Sequence, residues 1–532
     1  MAITGFPKPA VNRLHGAGLR RPWLIGMGVV LLAMFMAGTY FAKEHWPYRY
    51  RTIKPLLEDV FGSQVIITRY HRTYFPHPGF VATGITLRRK SAPDQPPIGT
   101  VQTLFVQGSW MDLLRLRHRV RLVDMTGVHI VLPPPGSRAI KEDFPPGSSS
   151  DFTGPETAIG RLLIHDSILD VLQPGGGRLS FPASQLQLDD VRKGHTAKFA
   201  VDMDNAIPSG HIHATGRFGP LIEHSLADTL ASGQFTFDGV NLHDVGNIHG
   251  LLKSSGKFFG RLGALNAEAS AESADFAVGN GRPTPVNGRV QCTVNALNGE
   301  TVFNAIEARM GRTVIFAKGD TSGSPEKSTN LDIAVKGGRA EDVMRPFVHR
   351  DVPITGPVSL HAHAYLAPSS AGSFFHRLHV DGAFDVPAER VADHQTEQNL
   401  TDFSLRAQGK SAPDKAGNGP AEMRSEVNVV SSIAGPAAIR DEVVTTKGLI
   451  FKVPGAEANL QGTFAIHTGT VHLTGDLKLQ SDISHMATGF KSILLKPLAP
   501  FFRKKNAGAV VPIVVTGAPG TYKVAADLGH EK

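Results

Sequence analysis

Residues 471–480 read VHLTGDLKLQ, and this stretch decides the fold. In an extended chain Val471, Leu473, Leu477 and Leu479 share one side with Gly475. His472, Thr474, Asp476, Lys478 and Gln480 share the other. Successive side chains of a strand point to opposite faces, so this alternation marks a strand with one face against something apolar and one face in water. The pattern extends toward the N-terminus. Leu460, Phe464 and Ile466 oppose Gln461, Thr463 and His467. Val358, Leu360, Ala362, Ala364 and Leu366 oppose Ser359, His361, His363 and Tyr365, and Leu331, Ile333 and Val335 oppose Asp332 and Lys336. Strand chemistry also begins at Val65, fills the alternating part of 75–87 (FPHPGFVATGITL), and returns in 101–106 and 120–132. The expectation is a mainly β chain forming an elongated, curved antiparallel sheet with a few short helices.

Those helices are quickly counted. Thr52 can N-cap a helix over 52–61, with Pro55 in its first turn and Gly62 ending it. Short helices are also expected at 110–116 (WMDLLRL) and 339–349. At 482–496, Ile483, Met486, Phe490, Ile493 and Leu494 recur at helical spacing. Four helices cannot cover so long an apolar face. The sheet must therefore close on itself, pack on a second sheet, or hold an apolar guest in an open trough. Alternation alone leaves all three open. In the third case Leu460, Phe464, Ile466, Val471, Leu473, Leu477 and Leu479 line the trough, and the 482–496 helix plugs its end or touches a membrane.

Composition agrees with many short strands. The 532 residues hold 56 Gly and 36 Pro alongside 41% hydrophobic residues, too apolar for disorder and rich in turn formers. Cys292 is the single cysteine, which excludes an internal disulfide and any multi-cysteine metal site. The net charge of +8 is scattered, with no basic stripe interleaved with aromatics, so nucleic acid is not the expected partner. Lys/Arg concentrations flank two apolar segments instead, which suits anionic lipid.

One of these segments is 23–42, WLIGMGVVLLAMFMAGTYFA, twenty residues without a charge. As a helix it spans roughly 30 Å, the thickness of a bilayer core. It reads as a retained single-pass anchor, N-terminus in the cytoplasm, with the bulk of the chain translocated. The organisation expected is a cytoplasmic tail (1–22), a transmembrane helix (23–42), an N-terminal β segment (43–132), a Pro/Gly/Ser-rich loop (133–156), a repeated β body (157–481) and a C-terminal segment (482–532).

No active site presents itself. His211-x-His213 and His361-x-His363 have ligand-like spacing, but they lie on the polar sides of their strands without the company a zinc site needs. The Gly175–Gly177 run reads as a hairpin turn and not a phosphate loop, and there is no Gly-x-Ser-x-Gly. The expectation is a non-enzyme without cofactor or metal.

Taken in order, five stretches resemble the AsmA family of Gram-negative envelope proteins. They are IKPLLEDVFGSQVIITRYHRTYFPHPGF, WMDLLRLRHRVRLVDMTGVHIVLPPP, RLLIHDSILDVLQPGG, IPSGHIHATGRFGP and the C-terminal FKSILLKPLAPFFRKKNAGAVVPIVVTGAPGTYKVAADL. Each is degenerate and apolar, and their order carries the likeness. The resemblance implies an inner-membrane anchor, a periplasmic β-groove related to bridge-like lipid-transfer proteins, phospholipid or another acyl-chain lipid as cargo, and a role in outer-membrane biogenesis. The alternative is a scaffold that regulates outer-membrane protein assembly or targeting to the membrane, with assembly components as partners.

Overall fold

The structure, a computed structural model, describes residues 46–89, 96–115, 119–133, 158–172, 177–192, 194–222, 225–323, 327–349, 351–352, 354–368, 374–391, 394–408, 429–466, 468–480, 510–518 and 521–526. The expected anchor at 23–42 and the expected helix at 482–496, with Ile483, Met486, Phe490, Ile493 and Leu494, lie outside the described residues. Among the described residues no helix is long and apolar enough to cross a membrane.

The chain divides into two units, Met1–Glu58 and Asp59–Lys532. Helix α1 (Tyr50–Val60), which belongs to the first up to Glu58, starts two residues before the expected cap, because the Arg49 carbonyl accepts from both Thr52 N and Ile53 N. Trp46 and Tyr48 meet edge to face at 6.1 Å.

The second unit is a sheet with 25 strands among the described residues. Its N-terminal part holds β1 (Gln64–Thr73), β2 (Gly79–Arg88), β3 (Gly99–Gly108), β4 (Arg119–Leu132), β5 (Ala158–Leu172), β6 (Arg178–Arg192), β7 (Ala197–Asn205), β8 (Gly210–Phe218) and β9 (Leu230–Asn241). Then come β10 (Ile248–His249), β11 (Leu251–Arg261), β12 (Ala264–Val278), β13 (Thr284–Val294), β14 (Thr301–Met310), β15 (Thr313–Thr321) and β16 (Thr329–Arg339). The rest are β17 (Ile354–Thr355), β18 (Pro357–Leu366), β19 (Leu378–Val391), β20 (Ser431–Arg440), β21 (Val443–Val453), β22 (Ala456–Ala465), β23 (Val471–Leu479), β24 (Val510–Gly517) and β25 (Lys523–Ala526). Short helices interrupt it: α2 (Trp110–Leu114), α3 (Ala340–Met344), α4 (Phe374–Arg377) and α5 (His394–Ala407).

Among the described residues every pairing is antiparallel except one: β4 runs parallel to β5, with Arg119 opposite Ala158 and Leu132 opposite Val171. The expectation of a largely antiparallel sheet stands, with this one exception. A parallel neighbour needs a crossover back along the strand, here about 43 Å for a 14-residue β4. The Pro/Gly/Ser-rich stretch between Leu132 and Ala158 has the length for that return.

Elsewhere connections alternate between two rims of the sheet. The first rim carries the start of β1 and, among others, the β16–β18, β19–β20 and β21–β22 connections, and so α3 and α5. The second carries the β1–β2, β3–β4, β18–β19 and β22–β23 connections, and so α2 and α4.

Core forms along the first rim. Ala340 of α3 is buried with Val335, Val358 and Val386, with Val343 and Ile354 packed alongside. Ala407 of α5 is buried with Val453, Ala456, Ala458, Leu460, Leu479, Val511 and Ile513, and Leu400 and Phe403 of the same helix pack on that cluster. Ser404, fully buried, donates to the Pro454 carbonyl at 2.7 Å and fastens α5 to the β21–β22 turn.

Candidate functional site: the apolar face

Strand register turns separate alternations into one continuous surface. Beginning at β1, Tyr70 is opposite Ala82, then Leu104, Met125, Ile164, Leu186 and Val201 on successive strands. The row goes on through Ala214, Phe235, Gly256, Ala269, Val290 and Ile306. It ends in Ala317, Ile333, Ala362, Gly382 and Ala437. A register shift intervenes between β20 and β21, after which Gly462, Leu473 and Val515 stand opposite one another. No member is charged.

One residue along each strand, on the other face, the chemistry inverts. There the row reads Thr83, Thr103, Thr126, His165, Gln185, Asp202, His213, Thr236, Ser255, Ser270, Arg289 and Glu307.

Burial varies along and across the apolar face. In β22, Ala456, Ala458 and Leu460 are buried near the first rim, while Phe464 is 37% exposed near the second. In mid-sheet the large members Leu186, Val201, Phe235, Val290, Ile306 and Ile333 are all half-buried. A second sheet packed at about 10 Å would bury side chains of this size. Their partial exposure describes an apolar surface that is reachable in mid-sheet, while it is buried along the first rim and across β2–β4, where Phe80, Ala82, Leu104, Val106 and Val123 are all buried.

Six of the seven residues expected to line a trough fall on this face, in two environments, and the seventh, Ile466, follows the end of β22 in the turn. Leu460 and Leu479 are buried in the cluster that α5 covers, and Leu473 and Leu477 pack against it. Val471 is half-buried, and Phe464 and Ile466 are exposed toward the second rim.

A feature that alternation did not reveal lies between β7 and β11. Phe199, Gly216, Gly233 and Phe258 stand in one cross-strand row. The two rings lean across the glycines until their centroids are 6.4 Å apart, and Phe235 comes within 6.5 Å of Phe258. A Cβ on Gly216 would meet Cε1 of Phe199 at 2.9 Å, and one on Gly233 would meet Cζ of Phe258 at 2.9 Å. The glycines leave the space, and the aromatics shield the bare backbone. The signal was present as Phe199, Gly216, Gly233 and Phe258 spread over four strands, legible only once the register is known. Cys292 occupies the same row, opposite Ala267, and burial raises the pKa of its thiol.

The polar face offers ion pairs. His211 lies 2.9 Å from Asp204 and 3.1 Å from Asp202, and His213 lies 3.1 Å from Asp202. Asp204 and then Asp202, hydrogen-bonded to the His211 ring, raise its pKa against the opposing effect of burial. His363 of the second pair lies 2.9 Å from Asp332. Among the described residues no group of three or more His, Cys, Asp or Glu side chains is arranged to hold a metal ion. A shallow cleft of about 500 Å³ on this face is lined by Ser255, Ser270, Arg289 and Glu307, in which cations and carboxylates alternate. One buried carboxyl stands apart: Glu389, at the first rim, accepts from the Ser431 hydroxyl at 3.0 Å, and burial raises its pKa.

Compared with known proteins, the chain matches no protein-family model and no curated protein.

Proposed function

We propose that this chain holds phospholipid or another acyl-chain lipid along the apolar face of its sheet and passes it between membranes of a cell envelope. The observation that carries the reading is the uncharged cross-strand row from Tyr70 to Ala437, half-exposed through the middle of the sheet. An acyl chain laid across the strands meets only apolar side chains, glycine backbone and aromatic rings, and gains burial at each step. The headgroup can stay toward the second rim, where Phe464 and Ile466 are open to water. In this reading 23–42 anchors the chain in an inner membrane, the sheet lies in the periplasm, and the protein supports outer-membrane biogenesis without catalysis, as the AsmA resemblance implies. Assembly of outer-membrane proteins on a scaffold calls for a face packed shut, and the half-exposed row gives that alternative less support.

Adjacent residues pointing to opposite faces supply the test. A photo-activatable residue placed at Ile306 of the full chain is expected to capture lipid, and the same residue at Glu307, one position along β14, is expected to capture none. Equal yields at the two positions, or no lipid at Ile306, overturn the proposal. The comparison is insensitive to lipid carried by the 23–42 segment, because both variants contain it.

A further inference from the structure

The second rim has a corner whose chemistry differs from the rest of the polar surface. The β1–β2 turn (74–78) and the β3–β4 connection that contains α2 lie side by side, tied by Gly108 N donating to the Pro78 carbonyl at 2.7 Å. From these two connections Phe75 stands 90% exposed and Leu114 82% exposed, with exposed Met111 on the same helix. These are projecting tips of loops, separate from the cross-strand row. Around them Arg72, Arg115 and Arg119 are exposed, and no carboxylate among the described residues lies within ion-pair distance of them. Further along the same rim the pattern changes: Arg161 is paired with Asp189 and Arg192 with Asp190. Asp112 is the one acidic side chain on α2.

Among the described residues, cations without a carboxylate partner and protruding apolar side chains therefore coincide at one corner. A protein partner would need a pocket shaped for each projecting side chain, whereas a fluid interface accepts them wherever they stand. Arginines beside the tips complement anionic headgroups, and aromatic and aliphatic tips suit the boundary between headgroups and acyl chains.

We propose that this corner docks on the surface of an anionic phospholipid bilayer, with Phe75 and Leu114 entering the headgroup–acyl boundary. The docking is independent of whether the apolar face of the sheet carries lipid.

The test places a bimane label at Phe75→Cys or Leu114→Cys in a full-length Cys292→Ser background, with Phe316→Cys on the polar face as reference. The protein is reconstituted into phosphatidylcholine vesicles with or without phosphatidylglycerol, carrying nitroxide-labelled lipid. Labels at 75 and 114 are expected to be quenched about twofold or more in anionic vesicles, as insertion of about 5–10 Å requires, while the label at 316 is not. High salt, or Arg72→Gln with Arg119→Gln, returns the signal toward the reference. Labels at 75 and 114 that stay as open to aqueous iodide as the one at 316 overturn the proposal. Labels shielded from iodide yet untouched by lipid-borne nitroxide overturn it too, because they report a protein contact instead. Lipid capture at Ile306 is read separately, so failure here and failure of the lipid-holding reading are distinguishable.

Discussion

Placing a carboxylate in the middle of the apolar row should stop lipid without unfolding the sheet. Val290 is the position of choice: it is half-buried, stands between Ala269 and Ile306, and belongs to neither of the clusters that α3 and α5 cover. In Val290→Asp the charge keeps water on its open side, so the folding cost is about 1 kcal/mol, typical of a substitution that creates no buried charge. The cost to a passing acyl chain is larger. One ladder step of about 4.8 Å corresponds to roughly four methylenes of an extended chain. At about 0.8 kcal/mol per methylene, the affinity forfeited at that step is about 3 kcal/mol. That is a factor of roughly 150 in occupancy. Photo-activatable residues at Val201 and Ile333, on either side of the substitution, read the outcome. Lipid adducts are expected to fall by about two orders of magnitude on the side remote from the lipid source, with the thermal unfolding temperature nearly unchanged. Undiminished adducts at both positions in a folded Val290→Asp protein would refute the reasoning. The same substitution at Leu460 behaves differently: that side chain is buried in the cluster α5 covers, and a charge there unfolds the rim first.

Gly233→Ala should destabilise the sheet by about 1–3 kcal/mol in chemical unfolding, because the new methyl meets the Thr215 carbonyl as well as the Phe258 ring. Removing the ring as well, in Gly233→Ala with Phe258→Ala, leaves the backbone clash and should not restore stability. Ser404→Ala removes the hydroxyl that binds the Pro454 carbonyl, so α5 should show faster hydrogen exchange and a loss of about 1–2 kcal/mol. Glu389 gives a pH signature. Its folded pKa is raised by burial, so its contribution is fully present below the unfolded carboxyl pKa and is lost as pH rises through the folded one. Glu389→Gln should therefore raise the unfolding temperature at neutral pH and change it little in acid. Parallel curves for the two proteins across that range would exclude the assignment.

The strands were legible in the sequence because alternation records a physical demand that each residue meets locally. Val471, Leu473, Leu477 and Leu479 illustrate this, since their shared face depends only on a period of two. Which strand lies next to which is not a local property. The parallel join of β4 to β5 left no trace in either strand's alternation, and only the length of the stretch between them hints at it. Helix α5 was missed because its buried side is thin: Leu400, Phe403 and Ala407 recur at helical spacing amid HQTEQN and Thr401, Asp402, Ser404. The contrast between buried Leu460 and exposed Phe464 was equally out of reach, since both have the same parity in the same strand and differ only in distance from α5.

The parallel join also sets a rule for how such a sheet can change in length. Because β4 and β5 run the same way, every connection from β5 onward is assigned to its rim by that one crossover. Inserting or deleting a single strand between α5 and β22 would put the β21–β22 turn on the opposite rim from α5 and leave Leu460 and Leu479 without their cover. Adding or removing a hairpin keeps each connection where it is. Between α5 and the cluster it covers, the ladder can thus lengthen only in even counts, by increments of about 9.6 Å, which gives size variants of this architecture a parity to be checked by counting strands in that stretch.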